Sequence, residues 1–319
     1  MPHFFADDVA LALRTMGVRL DANESGAFLR ELENISARVT ETVFDKFRGA
    51  EFVPINTEID PADQIHTWSR FTAVGAAKII ANYGRDLPRI EEYGEQTSTP
   101  IVSLGDSYAY SKQDIRASRK LGRPLEVRKA KIAREAIERL VDDMIAFGRA
   151  ANNIQGFLNA TGVPLLAAGY NGDWDDPATT GEMILADLNM MRFLVWTQSR
   201  QNHVPNAMLF GSNSYAALSK PYSAFIGESI MSIFLRSQDM IKTIDPWIKL
   251  DLADAQGNGE RAVVYEKSDE NLYQINPIVF ESSPPQPNNL EFLVPCEARH
   301  GGVVVRRPLS MLYVDGLLD

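Results

Sequence analysis

Between residues 121 and 149 the apolar positions Ala130, Ala133, Ile137, Leu140, Val141 and Met144 recur at spacings of three and four, which predicts one amphipathic helix. Pro124 suits the first helical position, where its missing N–H costs no bond, and Gly148 is placed to stop the helix. A helix over residues 124–147 would span about 36 Å, a rod rather than a short packing element. Its outer face is predicted to carry the i,i+4 pairs Lys131/Glu135, Arg134/Glu138, Glu135/Arg139 and Arg139/Asp143, each contributing ~0.3 kcal/mol. The charge runs against the helix dipole. Arg123, Arg128, Lys129 and Lys131 crowd the N-terminal end, and Asp142 and Asp143 sit near the C-terminal end. Such a rod needs compensation from groups packed against its ends, in its own chain or in another.

The pattern before the rod is of a different kind. Residues 1–22 form a short amphipathic opening (Val9, Leu13, Met16), and a helix is expected over 25–47 (Phe28, Leu32, Ile35, Val39, Val43), ending near Gly49. Residues 52–59 read as an interrupted strand that Pro54 confines to a sheet edge. Residues 65–74 read as a strand, although neither of its alternating faces is cleanly apolar, and 96–104 as its return. A long polar two-stranded arm buries no core of its own, and isolated hairpins are marginal in water, so support from outside the arm is expected.

After the rod comes a turn-rich connector (152–164), and a new unit begins near Asn171. Thr179-x-x-Glu182 reads as a capping box opening a helix with Ile184, Leu188, Met191 and Val195 on one face. A buried strand at 207–210, a Ser212-capped helix and a short helix at 228–236 follow. Strands then dominate: 247–252, 261–266 and 272–280, with a Gly257-Asn258-Gly259 turn. Residues 282–289 (SSPPQPNN) read as a linker, and 290–298 with 303–314 as a closing hairpin turned at His300-Gly301-Gly302. Strands and helices segregate rather than alternate, so the fold class is α+β.

Composition narrows the function. The 319 residues are 45% hydrophobic and 23% charged with net charge −10, an ordinary soluble composition without a basic arm for sequence-specific DNA binding. The single Cys296 excludes an intrachain disulfide framework and suits a reducing compartment. No apolar run approaches the ~20 residues of a membrane span, and the N-terminus lacks the basic region of a signal peptide.

Candidate chemistry is sparse. The segment IVSLGDSYAY (101–110) resembles the nucleophile block of GDS-type esterases, with Glu297-x-x-His300 as a faint acid–base echo and Asn171 as an oxyanion donor. The block lies a hundred residues too late, strands and helices do not alternate after Ser107, and Glu stands where Asp is usual, so the match is set aside. The four histidines His3, His66, His203 and His300 are dispersed without a metal motif. His66 beside Trp68 reads as a packing or interface pair, and Asp173, Asp175 and Asp176 as an acidic turn. Arg306 and Arg307 are too few to define a nucleic-acid patch, and no phosphate-binding glycine motif occurs.

The block from Gly105 to Gly148, GDSYAYSKQDIRASRKLGRPLEVRKAKIAREAIERLVDDMIAFG, resembles the core of tailed-bacteriophage major capsid proteins with the Hong Kong 97-type fold. A G-D-x-Y-x-Y-S segment leads into a short helix (112–120), and a G-R-P-L turn opens the spine helix. AKIIANYGRDLPR (77–89) is similar to the family's extended loop, and NIQGFLNATGVP (153–164) to its post-spine turn. The resemblance is strong over about 52–165 and weak in 1–50 and 170–285.

It implies an N-terminal arm (1–50), an extended loop (60–104), a peripheral domain (51–59, 105–170 and 284–319) with the spine helix at 124–147, and an axial domain (171–283). It implies a non-enzymatic chain without cofactor that self-assembles through hexamers and pentamers into an icosahedral virion shell, put together in the bacterial host cytoplasm. The shell would enclose double-stranded DNA without sequence-specific binding, with scaffold, portal and decoration proteins as partners and no membrane. Intersubunit contacts are expected at Trp68, Lys78, Arg85, Asp86, Arg89, Arg123, Arg128, Lys129 and Lys131. Some relatives cross-link Lys to Asn; Lys78 and Asn82 are loose candidates, and noncovalent association is expected. Met1 and the short N-terminus point to a separate scaffold or none. The alternatives are an encapsulin-like nanocompartment shell and, remotely, a GDS-type esterase using Ser107 and His300.

Overall fold

The computed structural model describes residues 47–75, 89–121, 126–167, 173–223, 225–255, 257 and 259–318. The expectations for residues 1–46, for Lys78, Asn82, Arg85, Asp86, Arg123, Pro124 and Asn171, and for Asn258 lie outside them.

The rod forms, as a helix over Glu126–Phe147. Ala133, Ile137, Val141, Met144, Ile145 and Ala146 are buried, with Leu140 packed against the same core. On the solvent side Arg134 meets Glu138 at 2.7 Å and Lys131 meets Glu135 at 3.7 Å. Gly148 ends the helix at φ 65°, in the left-handed region. The chain then closes a short ladder, Gly148–Arg149 against Ile154–Gln155.

The acidic end of the rod is compensated from within the chain. Asp142 is buried, and its Oδ1 accepts the Gly49 N–H at 2.8 Å. Lys249 places its Nζ 2.5 Å from Asp143 and 3.9 Å from Asp142. A cation therefore sits where the helix dipole favours one, although none belongs to the last turn itself.

A five-stranded sheet divides the interior, in the order Thr243–Pro246, Ala207–Phe210, Arg261–Tyr265, Met311–Asp315 and Leu165–Ala167. Ala207, Leu209, Val263, Tyr265, Met311 and Tyr313 face a core shared with the long helix. The alternate residues Met208, Phe210, Ala262, Val264, Leu312 and Val314 face a second core built with the helix Gly181–Gln198. Burial on both faces explains why these strands are continuous apolar runs without alternation. Ile184, Leu188, Met191 and Val195 line that helix's inner face, as the spacing predicted.

Several expectations are corrected. No closing hairpin forms. Glu291–His300 pairs with Val102–Ser111 and Ile278–Ser282, whereas Val303–Val305 joins Leu272–Ile275 and Met311–Asp315 enters the central sheet. Gly302, at φ 78°, reverses the chain into a different sheet instead of back along the same one. The expected 272–280 strand is split at Asn276-Pro277, where no backbone donor is left for a continuous ladder. The expected 247–252 strand is a 3-10 turn, Ile248–Leu250, preceded by the strand Thr243–Pro246. The linker contains a strand, Gln286–Asn288, paired with Glu291–His300.

Phe52 ends a helical turn, Gly49–Phe52; only Ile55–Asn56 is strand, at a sheet edge as Pro54 required. The short helix expected at 228–236 is Ile230–Ser237, entered from a strand, Ile226–Ser229. Caps shift as well. Thr180, not Thr179, accepts the Met183 N–H, and Ser212 is the first residue of its helix, whose N–H groups are held by Asp251 and Glu260.

Candidate assembly surfaces

The arm is a two-stranded ribbon, Ile65–Val74 antiparallel to Glu91–Pro100, in register from Ile65↔Pro100 to Val74↔Glu91. The return strand starts earlier than expected and breaks at Ile101, where Val102–Ser111 departs into another sheet. Ten paired positions extend it over roughly 34 Å, and on the return strand only Thr99 is buried.

Its two faces differ. One carries His66, Trp68 and Arg70 and turns toward the body of its own chain. Trp68 packs on the cluster of Ile59, Ile101, Tyr273, Ile275 and Val304. His66 stacks on it with ring centroids 6.0 Å apart, and its Nε2 lies 2.7 Å from the Tyr273 hydroxyl. Burial, helped by the Arg306 charge, holds the His66 pKa below its ordinary value. Arg70 pairs across the ribbon with Glu95 at 2.7 Å. The other face is open, with Ile65 62% and Phe71 66% exposed. Phe71 lies across Gly94, where a Cβ would come within 2.9 Å of its ring, so the glycine lets the aromatic cover the ribbon.

The basic end of the rod is partly engaged by its own chain. Lys129 donates to the Ala109 carbonyl at 2.6 Å and lies 4.5 Å from the Tyr110 ring centroid, pinning the rod to Val102–Ser111. Lys131 takes Glu135. Arg89 is exposed beside the arm. Of the expected contact residues, the structure thus brings Trp68 to its own core and Lys129 to its own sheet.

One cluster escaped the sequence pattern. A cleft is lined by Arg70, Gly162, Ser199, Asn202, His203, Arg306, Arg307, Pro308 and Leu309. Arg306 stacks on Tyr273 at 4.8 Å, Arg307 reaches Glu270 at 3.5 Å, and His203 Nδ1 lies 2.7 Å from Glu266. These residues come from four separated segments. The Arg306-Arg307 pair was the visible signal, and only tertiary structure adds Arg70 and His203.

The serine and histidine of the esterase-like block do not meet. Gly105, Asp106 and Ser107 lie inside a strand rather than at its end. Ser107 stands opposite Pro295, and His300 opposite Val102. Five ladder positions separate them by about 17 Å. His300 is fully buried; its Nδ1 accepts the Gly302 N–H at 3.0 Å, and burial pushes its pKa down to about 4. Among the described residues no cluster of His, Cys, Asp or Glu is arranged to hold a metal, and no helix is long and apolar enough to cross a membrane.

The sequence model of the family described as Major capsid protein matches residues 75–317, about three quarters of the chain. The chain belongs to the major capsid protein family. Among solved structures it is similar to the capsid of Myoviridae phage XM1, with 16% identity, TM-score 0.77, and coverage of 94% of this chain and 99% of that one. It is similar to the capsid of a native GTA particle at 12% identity, TM-score 0.62, covering 93% and 99%. A virus-like particle from Pyrococcus furiosus follows at 13% identity, TM-score 0.51, covering 83% and 90%. No curated protein matches the sequence. At these identities the likeness establishes the fold, which is the Hong Kong 97-type capsid fold.

Proposed function

We propose that this major capsid protein assembles through hexamers and pentamers into the icosahedral shell of a tailed phage, enclosing double-stranded DNA without reading its sequence. One observation carries the reading. A ribbon of about 34 Å projects an open face bearing Phe71 and Ile65, and a two-stranded ribbon of that kind is marginal without a partner surface. Closed shells supply such a surface through heterologous contacts repeated around symmetry axes.

In this reading residues 1–50 are the N-terminal arm and 60–104 the extended loop. Residues 51–59, 105–170 and 284–319 form the peripheral domain and 171–283 the axial domain, the two sharing the central sheet through Met311–Asp315. Lys78, Arg85, Asp86, Arg89, Arg123, Arg128 and Lys131 are the contact residues, with Trp68 seating the arm and Lys129 bracing the spine within their own chain. Assembly takes place in the bacterial host cytoplasm without covalent cross-links, with scaffold, portal and decoration proteins as partners.

Negative-stain microscopy of the purified protein tests this. Shells, or hexameric and pentameric rings, are expected; monodisperse monomers under all salt and concentration conditions overturn it. The likeness to the Pyrococcus furiosus virus-like particle favours a second reading, a nanocompartment shell. Shells isolated from the natural source that hold packaged protein and no DNA would decide for it.

A further inference from the structure

We infer that the cleft of Arg306, Arg307, Pro308 and Leu309 receives the open face of the arm of a second copy, with the Glu92 carboxylate of that copy seated on the two guanidinium groups. The inference rests on the shell-forming reading and names the contact within it.

The cleft combines charge with apolar surface. Arg70, His203, Arg306 and Arg307 line it together with Pro308 and Leu309, and no carboxylate does. Arg70 is taken by Glu95 and His203 by Glu266. Arg307 has only a 3.5 Å contact with Glu270 and a hydrogen bond to Asn271 at 3.2 Å. Among the described residues Arg306 forms no ion pair; it touches the Tyr273 ring and hydroxyl. The acids Glu58, Asp269 and Glu270 line a separate cleft that Arg306 also borders. At the cleft's edge Arg200 and Gln201 both hold positive φ, 52° and 67°, a strained turn that non-glycine residues rarely adopt.

The arm carries the matching surface. The open face of the arm carries Phe71, and Glu92 stands two positions beyond Gly94, the partner of Phe71, on the same face. Glu92 is exposed and, among the described residues, forms no ion pair. An aromatic next to a carboxylate thus faces outward, as the complement of leucine and proline next to two arginines. A chain cannot satisfy this with its own arm. Arg70 and Trp68 turn the opposite face toward the body, and Glu92 pairs at a register position three residues beyond Arg70, about 10 Å further out. A second copy is the remaining source of chemistry already present, and in a chain of net charge −10 a local attraction is needed to set the register of approach.

Full-length protein with Arg307→Glu, with Arg306→Glu and Arg307→Glu together, or with Glu92→Arg is assembled and shells are quantified by sedimentation and microscopy. Thermal unfolding confirms that each chain folds, and Arg307→Glu alone, at an exposed position, serves if the pair does not fold. Each reversal is expected to lower shell yield about tenfold or more at low salt, and Glu92→Arg combined with Arg307→Glu to recover most of it. Wild-type yield from the single reversals, or no recovery in the combination, overturns the inference. Normal shells that retain less DNA when the arginines are reversed overturn it too, in favour of a nucleic-acid contact. Separately, Glu92→Cys chains mixed with Arg307→Cys chains and oxidised at high concentration should give a covalent dimer that neither forms alone. Its absence sinks the contact, whereas failure of wild-type protein to form any shell sinks the proposed function and leaves this cysteine readout standing.

Discussion

Replacing Lys249 by Met removes a cation that compensates the acidic end of the long helix. Asp142 is 3% exposed, with Gly49 N–H as one partner at 2.8 Å and Lys249 Nζ at 3.9 Å. Asp143 is half-exposed and lies 2.5 Å from the same ammonium. The Asp143 contribution is screened by solvent and is worth at most about 1 kcal/mol. Taking a cation away from a buried carboxylate costs more, about 3 kcal/mol when its other contacts stay in place. The sum is about 3–4 kcal/mol, which for a unit of this size lowers Tm by roughly 6–12 °C.

Circular dichroism melts of unassembled protein at pH 7 would read this shift, with Lys220→Met as control. Lys220 is half-exposed and 3.8 Å from an exposed Asp175 carboxylate, so its loss should move Tm by less than 2 °C, within the roughly 0.5 kcal/mol expected of a surface change. A double-mutant cycle with Asp142→Asn should show coupling, because the amide no longer needs the cation. If Lys249→Met and Lys220→Met melt together, the compensation argument is wrong.

Three further outcomes follow from the geometry. His300 has its folded pKa lowered to about 4 against 6.5 unfolded, so the unfolded chain binds the extra proton first. Its contribution, about 3 kcal/mol, is fully present above pH 6.5 and is lost as pH falls toward 4; His300→Gln should flatten the urea-unfolding stability over that window, and an unchanged slope would refute the assignment. Gly148→Ala forces a Cβ to 2.3 Å from the Ile154 carbonyl at positive φ, whereas Gly257→Ala meets nothing within 4 Å. Left-handed strain costs either variant roughly 1–2 kcal/mol, so in chemical denaturation Gly148→Ala should be the less stable, and equal losses would show that the close approach is relaxed. Deleting residues 76–94 should leave a folded subunit that forms no shells, and normal shells from that chain would remove the arm from assembly.

The pattern of residues alone determined the long helix, its inner stripe and its stop. Periodicity of three and four and a glycine free to adopt φ 65° are local facts; the tertiary structure buries Ala133, Ile137, Val141 and Met144 of that stripe, leaves Ala130 and Leu140 half-buried, and adds Ile145 and Ala146. The buried strand Ala207–Phe210 was equally legible, and the polar arm was legible as two strands, although its return strand runs over Glu91–Pro100 instead of 96–104. Strand partners were not legible, because an apolar run states only that it is covered and not by what. Residues 291–300 and 303–314 read as a hairpin, yet the turn at Gly301-Gly302 sends them to different sheets. The compensation of Asp142 by Gly49 and Lys249, 93 and 107 residues away, and the gathering of Arg70, His203, Arg306 and Arg307 around one cleft were likewise decided only in three dimensions. Charges distant in sequence have no spacing rule that joins them; the packing of the central sheet between its two cores is what brings them together.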